Sequence, residues 1–295
     1  MEFGDIDRER EAELTADRML ATCWTSAGNT VPGGVDQRSP LPLLERIEAA
    51  ARAGFVGVGL HSVDLDEIER TYGLNGTRSL LKDHGIEVVE LEGIPGWWSD
   101  EPASDRIRRR VLDAAETLGA QHIKVTPDDR DQPWTVGLWA DKFAKLAAQA
   151  EGVGARLGIE FLPWSNIKDL HAGLHFIDEA GHRNGGLVID IWHMERSHTP
   201  ASAILEVPLA RITSVELSDA AGDVVGSLYE DTVHRRRYCG EGTFRIHEFV
   251  RALRLVGWPG PWGIEILSEE HRAAPVQAAL VRACETARPF VEAPI

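Results

Sequence analysis

Four short apolar segments in the second half of the 295-residue chain each contain one carboxylate. The carboxylates are Glu160, Asp190, Glu216 and Glu265, within residues 158–162, 188–191, 214–217 and 263–267. An unpaired ionised carboxylate inside an apolar strand is strongly unfavourable, so four recurring ones indicate a cation between them. A divalent metal is the simplest candidate. The alternative is four unrelated acids, each capped by a helix N-terminus or paired with arginine.

The elements that would position these acids alternate between strand and helix. Short apolar or β-branched runs, typical of strands that are buried on both faces, predict eight strands at 20–25, 56–60, 87–91, 122–126, 159–162, 187–191, 212–217 and 262–267. Helical periodicity predicts helices at 42–53, 104–118, 138–157, 244–256 and 275–290, several ending at a glycine: Gly54, Gly119, Gly158 and Gly257. Eight such units predict a single-domain (β/α)8 TIM barrel, in which strand C-terminal ends converge on one mouth.

An open doubly wound sheet is the alternative α/β architecture. It would normally carry a glycine-rich phosphate turn after the first strand. The pair Gly33 and Gly34 and the segment 240–242 are too weak to indicate a dinucleotide site. The barrel is therefore favoured.

Composition excludes several functional classes. The net charge of −16 disfavours a nucleic-acid partner, and no run approaches the length of a membrane span. Residues 1–18 form a charged N-terminal extension without the apolar core of a signal peptide, and residues 19–295 form the barrel. Cys23, Cys239 and Cys284 lack metal-ligand spacing and are predicted to be reduced thiols. These features predict a cytoplasmic protein that binds a small molecule.

Two long loops interrupt the alternation and are expected at the barrel mouth. The loop 94–102 contains Trp97 and Trp98, which could pack against a substrate ring, or could instead cover the helix layer or a contact between identical chains. The loop 219–243 contains Arg235, Arg236 and Arg237. The three arginines could bind an anionic or polyhydroxylated substrate, although solvated basic runs are also common.

The chain resembles the xylose-isomerase-like barrels over residues 19–291. This family includes sugar-phosphate isomerases and epimerases, hydroxypyruvate isomerase, ketose 3-epimerases, inosose dehydratase and 3-dehydroshikimate dehydratase. The resemblance rests on 158–160, Asp190-x-x-His193, the arginine segment leading into 240–242, and 263–265. It implies that Glu160, Asp190 and Glu265 are metal ligands and that His193 contacts a ligand or the substrate.

One position departs from the family pattern. The seventh strand commonly offers histidine, or sometimes glutamine, where this chain has Glu216. Glu216 therefore either completes a four-carboxylate site or does not bind metal. Four carboxylates favour an oxygen-preferring ion, with Mn²⁺ predicted and Mg²⁺ or Co²⁺ as alternatives, over Zn²⁺. The excess charge calls for compensation by the arginines and by Lys124 at the end of the fourth strand.

The resemblance implies metal-assisted proton transfer next to a carbonyl, with Glu160 and Glu265 as the catalytic pair. Proton return gives a sugar isomerase or epimerase, whereas loss of a β-hydroxyl from the same enediolate gives a dehydratase. His193, Arg235, Arg236, Arg237, Lys124, Trp97 and Trp98 are predicted to bind the substrate. A metal-free binding subunit stays open as an alternative, since loss of the usual seventh-strand ligand is typical of a degenerate site. A nuclease is disfavoured by the acidic charge.

Overall fold

Eight parallel strands close into a barrel in the computed structural model, which describes residues 18–128 and 134–293. The strands are β1 (Met19–Ala21), β2 (Gly57–His61), β3 (Val88–Glu92), β4 (His122–Val125), β5 (Arg156–Glu160), β6 (Gly185–Asp190), β7 (Ile212–Leu217) and β8 (Trp262–Ile264). They follow chain order around the barrel, and β8 pairs with β1. All eight predicted strands are confirmed, with ends that differ by a few residues. Most of the predicted N-terminal extension, residues 1–17, lies outside the described part of the chain.

Helices surround the barrel and cover its outer face. They are α1 (Cys23–Ser26), α2 (Leu43–Ala53), α3 (Leu65–Asp83), α4 (Pro102–Leu118), α5 (Val136–Gly152), α6 (Leu170–Ala180), α7 (Ile191–Arg196), α8 (Leu228–His234), α9 (Ile246–Leu255), α10 (Glu269–Ala273) and α11 (Val276–Val291). Short 3-10 turns lie at Ser62–Asp64, Ala201–Glu206 and Leu209–Arg211. None of the described helices is long and apolar enough to cross a membrane.

Two expectations about local structure need correction. The helix predicted at 138–157 ends at Gly152, and Gly158 lies inside β5 rather than after a helix. A Cβ atom at 158 would lie 2.8 Å from a methyl group of Val188, so the glycine is required by close packing of β5 against β6. The loop 219–243 also contains a helix, α8, which begins with a capping box at Ser227.

Strand register places the acidic residues at one end of the barrel. Asp190 and Glu216 are direct neighbours across β6 and β7, and Glu216 is the neighbour of Gly263 in β8. A Cβ at 263 would lie 2.6 Å from the Val215 carbonyl oxygen and 3.1 Å from Cγ of Glu216, so this glycine leaves the space that the Glu216 side chain occupies. The sheet therefore brings side chains from four strands to one point.

Candidate metal centre and cavity

The four predicted acids form one buried cluster. Glu160 and Asp190 end β5 and β6, Glu216 lies one residue before the end of β7, and Glu265 directly follows β8. One carboxylate oxygen from each lies within 4.8 Å of the others. Asp190 makes both contacts that the alternative interpretation predicted, since it caps α7 through the Trp192 N–H and pairs with an arginine. The four acids nevertheless lie close together, whereas the alternative interpretation treated them as unrelated.

Lys124 on β4 lies inside this cluster. Its Nζ donates to Oε1 of Glu216 at 2.9 Å and to Oε1 of Glu265 at 3.0 Å. It also lies 3.2 Å from Glu92 and 3.6 Å from Glu160. Burial would lower the pKa of this ammonium, but the surrounding carboxylates raise it well above its usual range, so Lys124 is charged.

Arg236 is the second buried cation of the site. Its Nη1 lies 2.6 Å from Oδ2 of Asp190 and 3.2 Å from Oε2 of Glu265. Thr232 accepts hydrogen bonds from Nε and Nη2, and the guanidinium carbon lies 5.5 Å from the centre of the Trp192 ring. The Arg236 side chain is thus held on several sides.

The loop that carries Arg236 is tied down by Asp219, which follows β7. The Asp219 carboxylate accepts hydrogen bonds from the amides of Gly240, Gly242 and Phe244, at 3.0, 3.0 and 2.9 Å. The backbones of Asp219 and Arg237 exchange two hydrogen bonds, and the Arg236 amide donates to Leu267 after β8. These bonds fix the segment between the ends of β7 and β8 and turn Arg236 inward.

His193 on α7 contacts the other side of the cluster. Its Nε2 lies 3.3 Å from Oε1 of Glu160 and 3.7 Å from Oδ2 of Asp190. Glu160, Asp190 and His193 therefore form a second possible ligand set that shares two residues with the four carboxylates. Either set would hold a divalent ion with donors that such ions accept.

The oxygen donors of the cluster suit a further cation besides Lys124 and Arg236. Oε2 of Glu216 is fully buried and accepts no hydrogen bond from any of the described residues. Burial and the nearby Glu265 raise the pKa of Glu216 well above its ordinary value, and burial raises the pKa of Glu265 to about 8 against the charges of Lys124 and Arg236. The pKa of Glu160 shifts in the opposite direction: burial would raise it, but the charge of Lys124 holds it well below its ordinary value. An oxygen-preferring divalent ion fits this site, because it would satisfy the orphaned oxygen and relieve the crowding of negative charge.

A cavity of about 210 Å³ opens onto one side of the cluster. Its walls are apolar or aromatic, and its floor is charged. The wall residues include Trp24, Leu162, Trp164, Tyr229, Val233 and Leu267, and the floor residues are Glu92, Lys124, Glu160, His193, Arg236 and Glu265. Asp190 and Glu216 are not among the lining residues. Of the four acids, Glu160 and Glu265 are therefore the two placed to contact a bound molecule.

Four residues predicted to bind the substrate lie away from the lining. Trp97 and Trp98 pack with Trp139, where Trp98 stacks at 4.3 Å between ring centroids, and the Trp97 indole donates to the Thr126 carbonyl. Arg235 is half-exposed beside Glu269, and Arg237 donates to the Glu241 carbonyl. The tryptophans thus belong to the helix layer, as the alternative interpretation had it.

Sequence reasoning missed Glu92, the last residue of β3. Its carboxylate accepts hydrogen bonds from the Cys23 thiol at 2.9 Å and the Trp24 indole at 3.0 Å, and lies beside Lys124 in the cavity floor. The signal was present, because residues 88–92 read as an apolar strand interrupted by acids, the same pattern that identified the other four.

Residues 47–285 match the family described as xylose isomerase-like TIM barrel. The chain belongs to this family. The resemblance seen in the sequence is confirmed, and so is the (β/α)8 fold.

Members of the xylose isomerase-like family that resemble this chain include several enzymes. The 3-dehydroshikimate dehydratase of Pseudomonas aeruginosa is 28% identical over 253 residues, which cover 81% of this chain and 38% of that protein. The corresponding Pseudomonas putida enzyme is 26% identical over 246 residues, again 38% of its length. The inosose isomerase of Halalkalibacterium halodurans is 21% identical and matched over 83% of this chain and 89% of its own length. This chain thus spans about two-fifths of the length of the dehydratases.

A solved structure of the IolI protein has the same fold. It superposes with a TM-score of 0.79 at 17% identity, covering 93% of this chain and 98% of that one, and is described with a bound zinc atom. At this identity the likeness shows the fold alone.

Proposed function

We propose that this protein is a divalent-metal-dependent enzyme that transfers a proton next to the carbonyl group of a small polyhydroxylated substrate. The observation that carries the proposal is that Glu160 and Glu265 belong to a buried four-carboxylate cluster and also face the cavity. Glu160 and Glu265 can therefore act both as oxygen ligands of a metal ion and as contacts to a bound substrate. Family membership agrees with this assignment, since the relatives that match are named as dehydratases, isomerases and epimerases.

Glu160, Asp190, Glu216 and Glu265 are the residues that would hold the metal, and Mn²⁺ is the ion we propose. When bound, it would act as a Lewis acid that polarises the substrate carbonyl and stabilises negative charge on its oxygen. Mg²⁺ and Co²⁺ suit the same oxygen donors.

The side chains in the cavity would handle the proton. Glu160 and Glu265 reach the substrate from β5 and from the residue after β8, so one can remove the proton from the carbon next to the carbonyl and the other can return it. His193 and Arg236 lie beside these two carboxylates and keep them in place. The walls formed by Trp24, Trp164 and Tyr229 would pack against the carbon face of the substrate and exclude water.

Dehydration is the outcome that the relatives favour. The two Pseudomonas dehydratases are 28% and 26% identical, compared with 21% for the inosose isomerase and 24% for an L-ribulose 3-epimerase. After proton removal, a β-hydroxyl group that takes a proton from a carboxylic acid of the site and leaves as water would give a dehydratase. Return of the proton to carbon would give an isomerase or epimerase. We propose the dehydratase as the second, more specific candidate. A cytoplasmic location is proposed with both.

Deuterium exchange tests the shared first step. Protein loaded with Mn²⁺ would be incubated in D₂O with a panel of ketoses, sugar phosphates, inososes and 3-dehydroshikimate. Exchange at the carbon next to the carbonyl, followed by NMR, is expected for at least one member, because isomerisation and dehydration both begin by removing this proton. A new enone or aromatic absorbance would select the dehydratase.

The controls separate catalysis from binding. Glu160→Gln and Glu265→Gln proteins should lose the exchange, since each removes a carboxylate that faces the cavity. If wild-type protein with one bound metal exchanges no substrate on the panel, the enzyme proposal is wrong and a binding subunit is favoured. If it binds no metal even when Mn²⁺ is supplied, the metal site itself is wrong.

A further inference from the structure

Lys124 is the most completely buried lysine side chain of the structure, and its position in the sheet explains why. It lies on β4, in register with Glu92 of β3 and Gly158 of β5. Its side chain is 1% exposed and points into the barrel, where Nζ meets carboxylates from β3, β5, β7 and the end of β8. A buried ammonium surrounded in this way is part of the carboxylate site and not a surface pair.

The acids around Lys124 outnumber the cations. Five carboxylates converge here, from Glu92, Glu160, Asp190, Glu216 and Glu265. Among the described residues, the lysine or arginine side chains that contact them are Lys124 and Arg236. Arg236 contacts Asp190 and Glu265. Glu92, Glu160 and Glu216 therefore depend on Lys124 for a lysine or arginine partner. Without metal and without Lys124, these buried acids would lie together uncompensated.

The ammonium and a metal ion would use the same oxygens. Three of the four candidate ligands, Glu160, Glu216 and Glu265, contact Nζ at 3.6, 2.9 and 3.0 Å. An ion bound among those oxygens would lie within a few ångströms of Nζ, where two cations repel strongly in a dry interior. We infer that Lys124 is a built-in counter-cation: it keeps the carboxylate cluster stable without metal, and it lowers the affinity of the cluster for a divalent ion.

Glu216, the residue that departs from the family pattern, is a partner of the Lys124 ammonium. Glu216 accepts the shortest of the Lys124 contacts. Glu216 on β7 and Lys124 on β4 therefore form a hydrogen-bonded pair within the site. The prediction is that metal exchanges reversibly, and that Lys124 and Glu216 act on metal affinity in opposite directions. The inference rests on the proposed metal site.

Calorimetric titration of chelator-treated protein with Mn²⁺ tests whether Lys124 lowers the metal affinity. Lys124→Met should bind Mn²⁺ about tenfold or more tightly than wild type, because a competing cation is removed while the oxygen donors remain. Lys142→Met is the matched control: Lys142 pairs with Asp100 at the surface, and its loss should leave the affinity unchanged. Unchanged or weaker binding by Lys124→Met would overturn the inference.

Thermal unfolding of metal-free protein tests whether Lys124 stabilises the carboxylate cluster. Metal-free Lys124→Met should melt at a lower temperature than wild type, and Mn²⁺ should raise its melting temperature by more than it raises that of wild type. A metal-free melting temperature equal to that of wild type would show that the cluster does not need the ammonium.

If Lys124→Met folds poorly, the same substitution can be tested in a protein that also carries Glu216→Gln. Glu216→Gln removes one anion and should weaken Mn²⁺ binding, and adding Lys124→Met to it removes one charge of each sign. The double variant should then bind Mn²⁺ about tenfold more tightly than Glu216→Gln alone. No gain in this background would contradict the competition. If wild type and all variants bind no metal, the proposed metal site fails, which is distinguishable from failure of the role given to Lys124.

Discussion

Arg236 differs from its two neighbours because only its side chain turns into the barrel. It is 2% exposed and pairs with Asp190 and Glu265, whereas Arg235 is half-exposed beside Glu269. A buried charge that loses its partner is costly, while a surface pair contributes little. Three identical residues in a row therefore have very different energetic roles.

Arg236→Met should lower the free energy of unfolding by about 3–5 kcal/mol, because Asp190 would keep a buried carboxylate without its cation. Arg235→Met, the matched control, should change it by about 1 kcal/mol or less. Urea unfolding of metal-free protein measures both. Turnover should fall markedly for Arg236→Met only. Equal unfolding midpoints for the two variants would show that the Arg236–Asp190 pair does not stabilise the site.

The segment between β7 and α9 is the element that places Arg236. Asp219 holds it through three backbone amides, and the close approach at Gly242 leaves no space for a side chain. A Cβ at this position would collide with the Ala220 carbonyl and the Asp219 carboxylate. The segment is therefore closely packed at Gly242, where it leads into α9.

Gly242→Ala should destabilise the protein by about 1–3 kcal/mol, because backbone and carboxylate must move to admit the methyl group. It should also reduce turnover, since the displaced segment carries Arg236. Gly152→Ala is the control: this glycine ends α5, and a Cβ there meets nothing within 4 Å. Thermal melting and steady-state kinetics report the two effects. A Gly242→Ala protein that matches Gly152→Ala in both would mean that the loop adapts without moving Arg236.

Closure of the barrel is what assembles the site in the whole molecule. Neighbouring strands bring Glu160, Asp190, Glu216 and Glu265 together although each arises from a different βα unit. Unfolding would separate these four carboxylates, so a metal that they held would bind the folded state alone. Metal binding and global stability are then linked by mass action.

Mn²⁺ at about 100 times its dissociation constant should stabilise the fold by about 2.7 kcal/mol. For a chain of 295 residues that corresponds to a rise in melting temperature of about 4–5 °C. Differential scanning calorimetry with Mn²⁺, and again after addition of EDTA, should show the rise and its reversal. The double variant Glu160→Gln/Glu265→Gln should show neither, because it loses two of the oxygen donors. A wild-type melting temperature that does not change when Mn²⁺ is added would contradict the proposed metal site.

The sequence alone determined the barrel and the strand ends that carry acids. Strands buried on both faces must be apolar throughout, so eight short apolar runs separated by amphipathic helices are readable without coordinates. A carboxylate at the end of such a run stands out because burial there is costly, and this is how Glu160, Asp190, Glu216 and Glu265 were found. The same argument would have reached Glu92, had it been applied to β3.

Only the tertiary structure decided which of the remaining polar and aromatic residues belong to the site. Trp97 and Trp98 turn to the helix layer because Trp139, distant in sequence, offers a stacking surface. Arg236 turns inward because bonds from Asp219 and Leu267 set the direction of its loop. Side-chain direction in a loop depends on contacts between elements far apart in the chain, and periodicity carries no information about those contacts. The location of Lys124 between the acids likewise follows from the closure of β4 within the barrel.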